Sequence, residues 1–407
     1  MGEPWDDAEA GVLSGRPVDS ILAVLDQVAD RFADPADPLV QEAVRQIRES
    51  TGLAVPMIRE GLADQVGRIR GIGSLLDAEL GTRYALDRFV ERAPGLWGRA
   101  WGPGLLTCIF SGNVPGIPAF DMALALALKS SCYARPPQAE PHFASLFAQA
   151  VSEIDPVLGR ELHVCRWARE DRQPYERAGG VMAYGSDQTM SAIRTMVPPG
   201  VPFLAHGARL SFAVILQEAA TAETARYLAK DVAWYDQQGC VSPHVAYVER
   251  GGDLSPTEFA QVVGEELARL AQEWPRASLT IEEGAALRRE RDAAEWEADA
   301  LFAPPEGLDW AVIHSESCGF QPSPLGRFLR TYAVDRWTEA FGRPPQLLQT
   351  VAVAGAPERR LLVAEQFGAL GASRIAQVGA VQRLHPVWHH DGRATVAALV
   401  RWTDVDL

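Results

Sequence analysis

Among the residues of this sequence, a cysteine that follows a glycine is best suited to nucleophilic chemistry. Cys240 lies in the run DQQGCVSP at 236–243, between a helical pattern that ends near Tyr235 and a strand pattern that begins near Val245. A loop or a helix N-terminus at this point would expose the thiol and lower its pKa. A thiolate there can attack a carbonyl carbon. The alternative is that Cys240 only packs, as most reduced cysteines do.

The other four cysteines are predicted to do no catalysis. Cys108, Cys132 and Cys165 lie within apolar strand patterns and should be buried, whereas Cys318 follows a loop-like run and could be exposed. The sequence contains no C-x-x-C pair and no cysteine–histidine spacing suited to zinc. We therefore expect reduced thiols, a cytoplasmic protein and no metal site.

Asn113 lies where a strand pattern ends and a helix pattern begins, within SGNVPG at 111–116. At the end of a strand in an open α/β sheet the backbone can approach a ligand closely. The side-chain amide of Asn113 could there donate to an oxyanion. The alternative is an ordinary turn, in which Asn113 bonds only its own backbone.

Two further positions could serve a ligand. Gly185 and Ser186 open a helix after a strand, where a phosphate could meet unbonded N–H groups, although the same residues form an ordinary N-cap and no G-x-G-x-x-G is present. His206 stands next to a strand that begins at Leu210 and could deprotonate a thiol. Most single histidines do no catalysis, so that alternative stays open.

The elements that must position these residues follow an α/β pattern. The first hundred residues show helical periodicity, with an apparent cap at 19–20. From Gly104 onward, short apolar runs alternate with helix-length segments, which is typical of βαβ units with a parallel sheet. A first set of strands is predicted at 105–110, 132–135, 162–165 and 180–184, and a second at 210–216, 245–248, 310–314, 329–334, 347–353 and 374–378.

The chain end is predicted to form a hairpin. A turn at 390–392 would separate two extended pieces, of which 395–402 is the stronger strand. Such a hairpin could pair with the sheet of another subunit, so we expect a homo-oligomer. Two long acidic helices are also predicted, at 257–274 and 281–301.

Composition places the chain among globular proteins. It has 407 residues, 47% of them hydrophobic and 22% charged, with a net charge of −15. The excess of acidic residues argues against nucleic acid as a partner. The most apolar run, 117–128, is interrupted by Pro118 and Asp121, so no membrane span is expected. The acidic segment 1–7 lacks the pattern of a secretory signal.

Taken in order, these motifs resemble the aldehyde dehydrogenase superfamily, and most closely its acyl-CoA reductase branch, the LuxC-type fatty-acid reductases. The resemblance spans about 95–407. Each motif alone is weak, but their order is specific: GNVPG at 112–116, YGSD at 184–187, a histidine-to-phenylalanine strand at 206–212, QQGC at 237–240 and HDGR at 390–393.

The resemblance implies two Rossmann-like α/β domains and a small C-terminal β element for oligomerisation. The expected boundaries are 1–208 for the helical start and the nicotinamide-binding domain, 209–382 for the catalytic domain and 383–407 for the β extension. It also implies that Cys240 accepts the acyl group and that Asn113, with the Cys240 backbone N–H, forms an oxyanion hole. Gly185 and Ser186 are expected to contact the cofactor.

Two departures from the superfamily pattern bear on the reaction. Oxidising relatives carry a glutamate that activates water where this chain has His206, and its absence favours reduction, with His206 tuning the Cys240 thiol. Arg135 stands where a lysine is common, and Gln138 where a glutamate grips the ribose of NAD. Arg135 can bind a 2′-phosphate bidentately and Gln138 does not repel it, so NADPH is favoured over NADH. The alternative for Arg135 is a solvated charge at a strand end.

The function expected from these residues is NADPH-dependent reduction of an acyl thioester to an aldehyde, with acyl-CoA or an acyl carrier protein as donor. The sequence carries no signal for acyl length. Two alternatives within the same fold are a CoA-acylating dehydrogenase that oxidises aldehydes with NAD, and an acyl carrier that holds a thioester on Cys240 without reducing it. A purely structural subunit is a further alternative.

Overall fold

The chain folds into α-helices and three β-sheets, as seen in a computed structural model that describes residues 11–340 and 347–407. The helices are α1 (Val18–Ala33), α2 (Pro38–Thr51), α3 (Val55–Gly67), α4 (Ile72–Leu80), α5 (Ile117–Ala127), α6 (Phe143–Ile154), α7 (Pro156–Arg160), α8 (Gln173–Glu176), α9 (Asp187–Arg194), α10 (Ala222–Ala233), α11 (Pro256–Glu273), α12 (Ile281–Glu297), α13 (Pro357–Ala369) and α14 (Val396–Leu399). The strands are β1 (Val90–Ala93), β2 (Leu96–Trp101), β3 (Leu105–Ile109), β4 (Ser131–Arg135), β5 (Leu162–Val164), β6 (Gly180–Tyr184), β7 (Phe203–His206), β8 (Leu210–Ile215), β9 (Pro243–Glu249), β10 (Ala300–Phe302), β11 (Ala311–Ser315), β12 (Phe328–Val334), β13 (Leu348–Ala354), β14 (Arg374–Gln377) and β15 (Arg401–Asp406).

The described residues divide into two compact units. Unit 1 comprises 11–51, 58–207 and 385–407, and unit 2 comprises 52–57, 208–340 and 347–384. The α/β fold with parallel sheets expected from the sequence is confirmed, because the main sheet of each unit is built from parallel strands.

The main sheet of unit 1 has five parallel strands in the order β5-β4-β3-β6-β7. Its strands form because they are continuous apolar runs, and the side chains of Leu106, Cys132 and Val181 are fully buried. The chain moves outward from β3 to β5 and then returns to the other side of β3 with β6. The strand order therefore reverses between β3 and β6, and ligands of open α/β sheets bind at the carboxyl ends of the strands at such a point.

The sheet of unit 2 has seven strands in the order β10-β11-β12-β9-β8-β13-β14, of which only the edge strand β10 is antiparallel. Every residue of β9, β12 and β13 is buried, as expected for strands covered on both faces. Phe212, Tyr247 and Phe367 pack in the core of this unit. Strand β9 begins directly after the Cys240 loop, so its burial anchors that loop.

The end of the chain differs from the predicted hairpin. The segment predicted as a strand at 395–402 contains helix α14, whose Val396 and Leu399 are buried, and the strand β15 begins only at Arg401. The helix forms because it buries these two residues, three positions apart, on one face. Strand β15 pairs antiparallel with β2 of the same chain, with Arg401 opposite Trp101. The terminal strand thus completes the three-stranded sheet β1-β2-β15 of unit 1.

Three other predictions of elements were wrong. The motif 206–212 is not one strand: β8 begins at Leu210, as the strand prediction for 210–216 had it, but His206 ends the separate strand β7 of unit 1. Helix α12 ends at Glu297, and residues predicted to continue it form β10 instead, where they pair with β11. The predicted cap at 19–20 is also wrong, because helix α1 begins at Val18, directly after Pro17, whose fixed backbone suits a helix start.

The expectation that there is no secretory signal depends on the acidic segment 1–7, which lies outside the described residues. Among the described residues, no helix is both long and apolar enough to cross a membrane.

Candidate active site

The Cys240 thiol is exposed on a short loop of unit 2. The loop runs from a 3-10 turn, Trp234–Gln237, to the start of β9, so Cys240 precedes a strand and does not lie at a helix N-terminus. Its carbonyl oxygen accepts a hydrogen bond from Ser211 Oγ at 2.9 Å. The Ser242 N–H donates to the Gly239 carbonyl at 2.9 Å and closes the loop into a turn. The backbone is therefore held while the side chain remains accessible.

The turn before Cys240 has an unusual backbone. Tyr235, Asp236 and Gln237 have φ values of 50°, 52° and 65°, in the left-handed region. Each such residue costs on the order of 1 kcal/mol because its Cβ crowds the following carbonyl. A conformation of this kind persists only where the surrounding structure fixes it, and such positions concentrate at functional sites.

A buried ion pair fixes this turn. Arg327 is fully buried, and its Nε lies 2.8 Å from Asp236 Oδ1. The second oxygen of Asp236 accepts the Ala277 N–H at 3.0 Å, while Arg327 also donates to the Trp274 carbonyl at 2.8 Å. Arg327 itself has a φ of 66°, within a second left-handed run at 325–327. Two strained segments are thus joined to each other at their side chains.

Gln237 joins the same turn to the sheet. Its Nε2 donates to the carbonyls of Pro243 at 2.8 Å and Phe328 at 3.0 Å. Its Oε1 accepts the Phe328 N–H at 2.8 Å. Because Pro243 begins β9 and Phe328 begins β12, one side chain ties the Cys240 loop to two neighbouring strands.

Gly239 lets the side chain of Gln382 approach the Cys240 loop closely and support it. A Cβ at Gly239 would lie 3.1 Å from Gln382 Oε1 and 3.2 Å from Ser242 Oγ, closer than most Cβ contacts. Gln382 is buried and donates from Nε2 to Ser242 Oγ at 2.8 Å. The segment that carries Gln382 is held by Asp231, which accepts the Gly379 N–H at 2.6 Å and the Val381 N–H at 3.4 Å.

Asp231 makes the stability of this support depend on pH. Burial raises the pKa of its carboxyl to about 7, against the opposing effect of the two backbone N–H groups. The folded chain then holds a proton between about pH 4 and pH 7 that the unfolded chain has lost. We expect the free energy of unfolding to fall over this range, by at most about 1.4 kcal/mol per pH unit, and to level off above it.

The measurement is urea unfolding between pH 5 and pH 8 of the full chain and its Asp231→Asn variant. The amide keeps one acceptor oxygen but does not titrate. The free energy of unfolding of the variant should therefore fall less steeply with pH than that of the wild type. Asp253→Asn, at an exposed position of the same unit, is the matched control. The prediction would be contradicted if the free energy of unfolding changed equally with pH in the wild type and in Asp231→Asn.

The remaining cysteines are placed largely as predicted. Cys108 and Cys132 are buried, which confirms their packing role, and Cys165 is partly buried. Burial raises the pKa of the Cys165 thiol to about 11, so it is protonated at neutral pH. Cys318 is exposed in unit 2.

In unit 1, Asn113 lies just beyond the carboxyl end of β3. The Ser111 hydroxyl donates to Asn113 Oδ1 at 2.6 Å, which leaves the amide nitrogen on the opposite side of the group. A Cβ at Gly112 would lie 3.0 Å from the Ala139 Cβ, so glycine lets the two strand-end loops approach. The amide of Asn113 is therefore oriented by its neighbours.

Arg135 ends β4, beside β3, and is half-buried. Its Nη2 donates to the Trp167 carbonyl at 3.2 Å and its guanidinium lies 5.5 Å from the Trp167 ring centre. Among the described residues, Arg135 has no carboxylate partner within salt-bridge distance. Gln138 is exposed three residues further on.

Gly185 and Ser186 follow β6, on the other side of β3. Ser186 is the N-cap of α9, and its Oγ accepts the Thr189 N–H at 3.2 Å. The carboxyl ends of β3, β4 and β6 lie at one edge of the parallel sheet. Unit 1 thus brings Asn113, Arg135 and Ser186 to the edge where the strand order reverses.

His206 ends β7 at the same edge and is buried. Its Nδ1 lies 2.8 Å from Asp391 Oδ2. The ring lies 3.9 Å from that of His390 and 4.7 Å from that of Tyr184, nearly parallel to both. Tyr184 in turn donates to Asp121, whose pKa burial raises to about 6.

The same cluster holds three groups that can ligate a metal, since ligand atoms of His206, His390 and Asp391 lie within 4.8 Å of one another. The two imidazoles, however, are nearly parallel, with an interplanar angle of 17°. Parallel rings direct their lone pairs side by side, whereas a tetrahedral ion needs them to converge. The arrangement therefore fits a hydrogen-bonded pair better than a chelate.

Sequence reasoning missed Asp121, Asp236, Arg327 and Asp391. Asp236 directly precedes QQGC and Asp391 lies within HDGR, so both stood in motifs that had been singled out. Arg327 and Asp121 had no local signal, because only the folded chain shows that their side chains are buried.

Solved structures with a similar fold include aldehyde dehydrogenases and other oxidoreductases. An oxidoreductase from Marinobacter aquaeolei is similar with a TM-score of 0.75 and 15% identity, over 99% of this chain and 90% of that one. A NAD-dependent benzaldehyde dehydrogenase from Corynebacterium glutamicum gives a TM-score of 0.73 and 16% identity, over 98% and 86% of the two chains. The α/β fold predicted from the sequence motifs is thus similar to that of aldehyde dehydrogenases.

The chain belongs to the acyl-CoA reductase (LuxC) family, whose model matches residues 13–402. A long-chain acyl-protein thioester reductase from Photorhabdus luminescens is 25% identical over 348 residues, which cover 82% of this chain and 70% of that protein. A protein of the same description from Vibrio harveyi is 22% identical, over 81% and 69% of the two chains.

Proposed function

We propose that the chain reduces an acyl thioester to an aldehyde with NADPH, through a thioester on Cys240. The observation that carries this proposal is the exposed Cys240 thiol on a braced loop, in a chain that belongs to the LuxC family. Relatives of the chain are named as reductases of long-chain acyl-protein thioesters. The donor proposed for this chain is therefore acyl-CoA or an acyl carrier protein.

The first half of the reaction is acyl transfer. The Cys240 thiolate attacks the thioester carbonyl, and the Asn113 amide, with the Cys240 backbone N–H, donates to the oxyanion. The carbon–sulfur bond to the carrier then breaks, and the carrier leaves as a thiol after gaining a proton. The acyl group remains on Cys240 as a new thioester.

The second half is reduction of this acyl group. NADPH, when bound, supplies the hydride to the acyl carbon. The resulting thiohemiacetal collapses, and the aldehyde departs as the Cys240 thiolate reforms. Position 206 carries an imidazole in place of a carboxylate that would activate water, which favours reduction over hydrolysis of the thioester.

The residues of unit 1 fit a phosphorylated dinucleotide. The half-buried Arg135 guanidinium lies at the carboxyl end of β4, where a 2′-phosphate can accept two of its N–H groups. Gly185 and Ser186 precede the N-terminus of α9, which favours a pyrophosphate. Gln138 places no negative charge near the ribose.

Arg135→Met is expected to weaken the binding and use of NADPH relative to those of NADH. Loss of charge-assisted hydrogen bonds should lower kcat/KM for NADPH by about 10- to 100-fold and leave that for NADH nearly unchanged. Gln138→Glu should act in the same direction by repelling the 2′-phosphate. Arg160→Met, at an exposed arginine of α7, is the matched loss of positive charge. Equal losses with both nicotinamides would contradict the assignment of Arg135.

The experiment that tests the proposed function is acyl labelling followed by discharge. A panel of radiolabelled acyl-CoAs and acyl carrier proteins is offered to the full chain, which should gain label on Cys240. NADPH should then release the label as aldehyde. Label that NADPH does not release indicates an acyl carrier, and faster turnover of aldehyde with CoA and NAD indicates the oxidative direction. Without any labelling, the proposal fails.

A further inference from the structure

The hydroxyl of Ser211 connects the Cys240 loop to the sheet of unit 2. Ser211 is the second residue of β8 and is buried, with 1% of its surface exposed. Its Oγ donates to the Cys240 carbonyl at 2.9 Å and accepts the Thr350 N–H at 3.2 Å. Cys240 precedes β9, and Thr350 belongs to β13, the two strands that flank β8. We call this link between the main chains on both sides of β8 the serine bridge.

The ladder between β8 and β9 is irregular where the serine bridge lies. Ser211 faces Pro243. The next residue, Phe212, faces Val245, so β9 contains one extra residue over this interval. Pro243 has no N–H to donate, and proline within a sheet is confined to such places, at a strand start or a bulge. The main chain of β9 therefore lacks a donor at its start, three residues after Cys240.

The ladder between β8 and β13 is irregular at the same residue. Two residues of β13, 349–350, stand opposite Ser211 alone. An extra residue of this kind opens the main-chain ladder and bends the strand, and such bulges are enriched next to active sites. Here the Thr350 N–H donates to the Ser211 hydroxyl, so a side chain supplies the link across the bulge.

We infer that Ser211 is a positioning residue for the Cys240 nucleophile, because it holds the Cys240 peptide in the direction from which the thiolate attacks a thioester carbonyl. The inference rests on the proposed function. In the serine bridge an N–H donates to a hydroxyl that donates to a carbonyl, and each hydrogen bond of such a chain polarises the next. The bridge joins main-chain groups, so it fixes the backbone of Cys240 and not the charge of its thiol.

The other supports of the loop act on the residues around Cys240. Gln237 holds the turn before it, and Gln382 holds Ser242 after it. Ser211 is bonded to the Cys240 residue itself. Loss of the Ser211 hydroxyl should therefore shift the nucleophile while the contacts of Gln237 and Gln382 keep the rest of the loop in place.

Three variants separate positioning from a general structural role, each made in a Cys318→Ala background so that Cys240 is the exposed thiol under test. Ser211→Ala removes the hydroxyl, and Ser211→Thr keeps one. Ser373→Ala is the matched control, because Ser373 Oγ donates to the Gln349 carbonyl of the same strand β13 at 3.1 Å. Ser373 lies between α13 and β14, in the same unit as Ser211.

The test compares two reactions of the same thiol in the full chain. Acylation by labelled acyl-CoA in a single turnover requires an oriented attack on a carbonyl, whereas alkylation by iodoacetamide requires an accessible thiolate. Ser211→Ala should lower the maximal acylation rate at saturating acyl-CoA by about 10- to 100-fold and change alkylation between pH 6 and pH 9 by less than about 3-fold. Ser211→Thr should acylate faster than Ser211→Ala, and Ser373→Ala should match the Cys318→Ala background in both reactions.

Acylation of Ser211→Ala at the rate of the background would overturn the inference. Equal losses of acylation and alkylation, or equal acylation of Ser211→Ala and Ser211→Thr, would overturn it as well. If the background accepts no acyl label, the proposed function fails, and hydrogen exchange then decides about the serine bridge. The amides of 240–242 should exchange faster in Ser211→Ala than in the background and in Ser373→Ala, and unchanged exchange would overturn the inference without any acyl transfer.

Discussion

Replacing Cys240 with alanine is expected to abolish covalent acyl labelling and to lower the rate of thioester reduction by at least about 10³-fold. The Cys240 sulfur is the only protein atom that forms a covalent bond to the acyl group in the proposed reaction. Asn113 and the cofactor site do not form this bond, so they cannot compensate for its loss. Labelling by acyl-CoA and aldehyde formation measured on the same samples check both parts of the expectation.

Cys318→Ala is the matched control, because Cys318 is also exposed and also belongs to unit 2. It should label and turn over like the wild type. If Cys240→Ala still accepted the label and Cys318→Ala did not, Cys318 would be the nucleophile and the assignment of Cys240 would be wrong. Retained reduction without labelling in Cys240→Ala would exclude a covalent route.

Removing one partner of the Asp236–Arg327 pair is expected to destabilise unit 2 by about 3–5 kcal/mol. In Arg327→Met the Asp236 carboxylate stays buried, at 5% exposure, without its cation. The turn before Cys240 also loses the contact that holds its left-handed residues. Urea unfolding measures the first effect, and hydrogen exchange of the 235–242 amides measures the second.

The control for this prediction is Arg269→Met. Arg269 pairs with Glu266 on the exposed surface of α11, and such pairs contribute about 0–1 kcal/mol. The double variant Asp236→Asn with Arg327→Met should cost less than the sum of the single changes, because no buried charge remains. Additive costs would show that the two residues act independently. Alkylation of Cys240, in a Cys318→Ala background, reports whether the loop geometry changes.

Much of the parallel sheet framework could be predicted from the sequence because its strands are continuous apolar runs. Strands β3, β4 and β6 occur within a residue of their predicted limits, and Phe143–Ile154 forms the predicted helix. The sequence did not reveal β1, β2 or the pairing of β15. These strands are partly exposed, and their partners are distant in the chain, so their local patterns are weak.

The candidate site shows the same division. Cys240, Asn113, Arg135 and Ser186 were found because each stands at the end of an apolar segment, where local sequence indicates a loop. The contacts that hold them are long-range, since His206 and Asp391 are 185 residues apart and Asp236 and Arg327 are 91 apart. No local periodicity reports such pairs. Their roles follow only from burial and from the left-handed backbone.

The return of residues 385–407 to unit 1 affects the order in which the protein can fold during synthesis. The segments of unit 2 are all synthesised before the strand β15 and the turn of Asp391. Unit 1 therefore acquires one edge of its small sheet and the partner of His206 only after the rest of its residues have been made. These contacts join distant parts of the chain, so forming them requires the closure of a long loop and is expected to be a slow step of folding.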